Sequence, residues 1–232
     1  MNELEVCLAI WRRNWKRAFL IALIPWVPWL VLDVLIVIVA FDGHFLRDKA
    51  DLGFLFLAMW WAPLADQIVA LPVLRAERAH RAGVPPGAWH EPRSIGWNLL
   101  TALVVTALLV GSAIVILPLA LVPQFVLLAA LVAGAERRAL PSALWRSVQL
   151  TRGFRFAIFG VGLIFWAFRW ALSALLTQWF DGDGGLQAAG FTAMTLLNVL
   201  ASGLFASTIV MFYQRGVERH DDPTGQLSRV FE

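Results

Sequence analysis

The sequence predicts an all-α fold: a polytopic transmembrane helical bundle of about six spans, N-in and C-in, with interfacial amphipathic helices. Three observations predict it. First, 59% of the 232 residues are hydrophobic and 15% are charged, where soluble domains run near ~45–50% and ~25%. A single water-soluble core of this size could not hide so much apolar surface. Second, six segments approach the ~20 apolar residues that cross a bilayer core. Third, Lys and Arg alternate from loop to loop, as orientation in a membrane requires.

The elements follow in order along a single integral membrane domain over 1–232. In residues 3–16, Leu4, Leu8, Trp11 and Trp15 repeat with helical spacing, and Arg12, Arg13 and Lys16 lie beside them. This predicts a helix lying at the membrane surface, its cations reaching for phosphates. The first span, 18–41, is too long for a signal-peptide apolar region and lacks an Ala-x-Ala exit. The second span covers 52–74. The third and fourth, 96–117 and 119–135, form one apolar stretch broken by Pro118 and Pro123, which predicts a tight hairpin. Leu140, Leu144 and Val148 mark a second interfacial helix over 140–152, beside Trp145. Pro141 suits its first turn and Gly153 its end. The fifth and sixth spans cover 156–179 and 188–213, joined through the acidic turn Asp181-Gly182-Asp183-Gly184-Gly185.

Charge assigns the sides. Arg12, Arg13, Lys16 and Arg17 precede span one. Arg75, Arg78, Arg81 and Arg93 follow span two. Arg137, Arg138, Arg146, Arg152 and Arg155 follow span four, and Arg215, Arg219 and Arg229 follow span six. That places sixteen of nineteen cations on one side, leaving Arg47 and Lys49 opposite and Arg169 within a span. The split supports the hairpin at Pro118, because removing that turn would scramble the alternation.

Asp33, Asp66 and Arg169 are the ionisable residues deep within the expected spans. An unpaired charge there costs a few kcal/mol or more, so such groups pair or line a wet cavity. Counted from the cytoplasmic ends of the expected spans at ~1.5 Å per residue, Asp33 lies at about 22 Å, Arg169 at about 20 Å and Asp66 at about 12 Å. Depth therefore favours an Asp33–Arg169 ion pair. Asn98, Gln178 and Asn198 are expected to hydrogen-bond between helices, and Asn198, Ser202 and Ala206 to form a packing seam.

Catalytic chemistry is not legible. His44, His80, His90 and His220 all fall in expected loops or the tail, which argues against haem or His-based metal ligation within the spans. No H-E-x-x-H, Walker A or Gly-rich dinucleotide motif occurs. Cys7 stands alone, so there is no internal disulfide framework. The expectation is a non-enzyme with no cofactor and no metal.

The most specific stretch is Ala143-Leu144-Trp145-Arg146-Ser147-Val148-Gln149-Leu150-Thr151-Arg152-Gly153, shortly after Glu136. It resembles the A-L-x-R-S-x-x-L-T-x-G signature of a bacterial family of six-span membrane proteins, related to the membrane domain of glycerophosphoryl diester phosphodiesterases and to YciC-like proteins. The matching positions are Ala143, Leu144, Arg146, Ser147, Leu150, Thr151 and Gly153. The resemblance implies a multi-pass domain of the bacterial inner membrane. It carries over no activity, because in the fused proteins catalysis belongs to a separate soluble barrel. Read physically, Ser147 and Thr151 share a helix face, and Arg146 and Arg152 are placed to hold phosphate oxygens. Alternatively, the motif is a helix–turn element that aims span five.

The leading expectation is a structural, assembly or lipid-associated membrane protein. Its partners would be phospholipids, and a protein subunit or a second copy, with no nucleic acid. A small transporter or permease component using Asp33, Asp66 and Arg169 is the alternative.

Overall fold

A computed structural model describes residues 3–40, 47–83, 92–114, 128–179 and 184–221. They are all helix and short turns, with no strand among them. Among the described residues seven helices follow in order: α1 (Glu3–Ala40), α2 (Arg47–Arg81), α3 (Pro92–Ile114), α4 (Ala129–Glu136), α5 (Leu140–Leu150), α6 (Arg155–Trp179) and α7 (Gly184–Asp221).

Helix α7 is the axis of the bundle. It packs most extensively on α1, then on α2, and α6 and α5 lie against it. Helix α3 pairs with α4 and also touches α2. The core is built where these helices meet, from Ile10, Ala18, Ala22 and Trp26 of α1, Val69, Leu71 and Leu74 of α2, and Val199, Ala206, Ile209 and Phe212 of α7. Small residues bring the backbones close. A methyl added at Gly203 would meet the Ala18 side chain at 3.3 Å.

Several expectations change. Residues 3–16 and 18–41 are not two elements, because α1 runs unbroken from Glu3 to Ala40. Nothing between Trp15 and Leu23 caps or breaks a helix, so it carries through. The inward face is Cys7, Ile10, Asn14 and Ala18, while Leu8 and Trp15 point outward. Helix α2 likewise runs past residue 74 to Arg81. Helix α5 starts as expected, with Pro141 in its first turn. However, its buried face is Ala143, Arg146, Ser147 and Leu150, and Trp145 is 67% exposed. The helix itself stops at Leu150 with Thr151 as its C-cap, and Gly153 turns the chain just beyond with φ +98°, a left-handed conformation that glycine adopts freely.

The six-span count is not reached among the described residues. One stretch, Thr192–Asp221, is by itself long and apolar enough to cross a membrane. Leu140–Leu150 and Arg155–Arg169 qualify only if taken together across a 102° bend. The expected hairpin at Pro118 and Pro123 lies outside the described residues.

Candidate functional site

Two polar clusters are built into the bundle. The first lies where α1, α2, α6 and α7 converge. Arg169 of α6 donates through Nη2 to Asp66 Oδ1 at 2.8 Å and through Nη1 to Asp66 Oδ2 at 2.9 Å. This is the parallel two-bond fork that makes Arg–carboxylate pairs strong and directional. The side chains are 4% exposed for Asp66 and 13% for Arg169. Arg169 Nη2 also donates to Ser202 Oγ at 2.9 Å, and Trp26 Nε1 donates to the same oxygen at 3.1 Å. Nearby on α2, Trp61 Nε1 donates to the Pro25 carbonyl at 2.7 Å. That carbonyl lies in the Pro25–Pro28 stretch of α1, where missing N–H groups loosen the helical ladder.

Arg169 thus pairs with Asp66, whereas the depth estimate favours Asp33. The depth estimate failed through its reference points. Measured from the observed helix end at Arg81, Asp66 is about 22 Å deep, and measured from Arg155, Arg169 is about 21 Å deep. The residue of α1 at that level is Trp26, since it shares Ser202 Oγ with Arg169. Asp33 lies about 10 Å further along α1 at 1.5 Å per residue, and its side chain is outside the described residues. Asn98 does bond across helices, to the Ala130 carbonyl at 2.8 Å. Asn198 instead donates to Met194 of its own helix, and Gln178's side chain is not among those described. Ser202 and Ala206 are fully buried, in the seam against α1.

The second cluster gathers at the end of the bundle formed by the start of α1 and the ends of α2, α4, α5 and α7. Glu77 is 0% exposed. It accepts from Asn14 Nδ2 at 3.2 Å and pairs with Arg13 and Arg81, each at 3.4 Å. Glu136 is the second hub. Tyr213 donates to it at 3.2 Å and Arg138 at 2.7 Å, and Arg146 Nε lies 3.5 Å away. Arg78 in turn donates to the Tyr213 hydroxyl at 3.0 Å. Arg146 also bonds Asp221 directly and reaches His220 Nδ1 at 3.3 Å. Burial works against the Arg146 charge, but the Asp221 hydrogen bond and the Glu136 charge outweigh it and hold its pKa above the ordinary value.

This geometry answers the two readings of the motif. Ala143, Arg146, Ser147, Leu150 and Thr151 share the inward face of α5 and its end. Thr151 Oγ1 donates back to the Ser147 carbonyl at 2.9 Å. Arg146 ties α4, α5 and α7 together, so its guanidinium is occupied by carboxylates. Leu144 is half-buried beside Val105 and Ala129. Sequence reasoning missed Glu77, Tyr213 and Trp26. The signal for Glu77 was present: it stands at helical spacing from Val73, Leu74 and Arg81, on a helix taken as ended.

No group of three or more His, Cys, Asp or Glu able to hold a metal occurs among the described residues. Some buried polar atoms lack a hydrogen-bond partner there, among them both amide atoms of Gln67, the hydroxyls of Thr101, Thr106 and Thr195, and the Nε atoms of Arg146 and Arg169. Compared with known protein families, curated proteins and solved structures, the chain matches none.

Proposed function

We propose that this chain is a non-enzymatic, multi-pass protein of a bacterial inner membrane with a structural, assembly or lipid-associated role. The observation that carries the reading is an inverted distribution of polarity. Leu20, Ile24, Val27 and Val31 form an exposed apolar stripe on α1, and Phe156, Phe159 and Leu163 form another on α6. Phe156 is 86% exposed. The charged pair Asp66–Arg169 faces inward instead. Contiguous apolar faces of this kind are rare on soluble monomers, and intramembrane charges characteristically turn inward and pair.

Within that reading, the Asp66–Arg169–Ser202–Trp26 cluster is an interhelical lock. It is buried and forked, and it joins four helices. The likeness of residues 143–153 to the six-span family adds support for the inner-membrane assignment and adds no activity. The permease reading keeps one observation of its own. Buried polar groups without partners usually mark a bound water or ligand, and Gln67 neighbours Asp66 in sequence.

Topology mapping tests the membrane reading. Fusions of alkaline phosphatase and green fluorescent protein after Arg81, Arg137 and Asp221 should fluoresce and lack phosphatase activity. A fusion after Asp183 should do the reverse. Uniform fluorescence at all four sites, with release of the chain by alkaline carbonate, would refute it.

A further inference from the structure

We propose that the cleft between the turn after α5 and the last turns of α7 binds a phosphate group at the membrane surface. The group would be carried by a phospholipid or by a small soluble phosphate. The cleft has a volume of about 330 Å³ and is lined by Gln149, Arg152, Gly153, Gly216, Arg219 and His220, together with Leu150. No carboxylate is among these lining residues.

The state of the two arginines carries the inference. At this end of the bundle Arg13, Arg81, Arg138 and Arg146 each have a carboxylate partner. Arg152 is exposed and has no side-chain hydrogen bond or ion pair among the described residues. Among the described residues, Arg219 has only the Phe154 ring, 5.4 Å from its guanidinium carbon. Two guanidinium forks thus line one open cleft with no acceptor for their donors among the described residues, and a phosphate oxygen set is the acceptor that such forks match.

The frame around them is rigid. Arg146 clamps α5 to α7 through Asp221. Gly216 allows the two to meet, since a methyl there would lie 2.8 Å from the Leu150 carbonyl oxygen. Gly153 leaves room for Arg219, because a methyl at 153 would lie 2.8 Å from Arg219 Nη1. Helix α6 begins two residues beyond Gly153, so its positive end lies close by in the chain. Competing with this, α5 and α7 both end here, and their carbonyl ends also attract cations. A phosphate ligand requires the arginines to do more than serve those ends.

The inference rests on the membrane reading only for the lipid source. The test uses the full chain in a neutral maltoside detergent, read by the Trp-fluorescence thermal midpoint at fixed ionic strength. The probes are phosphatidylglycerol in mixed micelles, diacylglycerol with the same chains, and inorganic phosphate. The expected result is a rise in midpoint with phosphatidylglycerol and none with diacylglycerol. Arg152→Gln and Arg219→Gln should each weaken the apparent affinity by about tenfold or more, and the double variant should abolish the shift. Arg152→Gln removes no side-chain hydrogen bond or ion pair among the described residues, so its midpoint without probe should match the parent. An equal, arginine-dependent shift with inorganic phosphate also supports the site and assigns it a soluble source. A shift that survives the double variant, or no shift with either phosphate probe, overturns the proposal. Release of the chain by carbonate would refute the membrane reading alone, leaving the inorganic-phosphate arm intact.

Discussion

Ser202 Oγ accepts two donors from two different helices, Trp26 and Arg169, and this one oxygen sets Trp26 of α1 and Arg169 of α6 at one level along α7. The energetic weight of the pair beside it can be measured. Asp66→Leu or Arg169→Leu alone leaves a buried charge uncompensated, which costs about 3–5 kcal/mol, whereas removing both is often close to neutral. A double-mutant cycle on unfolding in detergent should therefore show a double variant more stable than either single one. Additive losses would show that the fork contributes no coupling. A second residue-scale prediction concerns Cys7. Burial pushes its thiol pKa up, and a hydrogen bond with Thr208 at 3.2 Å offsets this in part. Because the fold favours the neutral thiol, stability is constant below the unfolded value near ~8.5 and falls as pH rises above it. Maleimide should label Cys7 at pH 8 only after denaturation, and fast labelling of the folded chain would contradict its burial.

At the scale of elements, the motif over 143–153 is a joint. Its inward residues follow the spacing of one helical face, and Arg146 binds carboxylates of two other elements. The α5–α7 contact depends on close backbone approach, so Gly216→Ala should lower stability by about 1–3 kcal/mol through overpacking against the Leu150 carbonyl. Thermal unfolding reads the loss, and an unchanged midpoint would mean that α7 can shift freely at this end. The failed depth estimate is also an element-scale lesson. Helix ends were inferred from where hydropathy drops, yet α2 continues for seven residues past 74. Backbone hydrogen bonding does not stop where apolar composition does, and Glu77 is buried within that polar extension.

For the whole molecule, the outward apolar faces of α1, α3 and α6 set the expected behaviour. Ile24→Glu on the exposed stripe of α1 should leave helix packing intact and reduce membrane insertion. Translocon-type insertion at mid-span disfavours an acidic residue by about 2.5–3.5 kcal/mol. Fractionation after an alkaline carbonate wash measures it. Unchanged retention in the membrane pellet would place that face away from lipid.

The sequence alone determined the helical class, the placing of Pro141 in the first turn of α5, the chain turn at Gly153 just beyond it and the interhelical role of Asn98. These are local properties, read from hydropathy, the chemistry of proline and glycine, and single polar groups in apolar runs. It also narrowed the partner of Arg169 to two carboxylates. Only the tertiary structure decided for Asp66, because the choice depends on how far each helix extends and which residues share a level across the bundle. The same holds for the inward turn of Arg146, the burial of Glu77 and the lack of a carboxylate partner for Arg152 and Arg219 among the described residues. A charged residue's partners sit on other helices, and periodicity within one helix says nothing about what another brings opposite it.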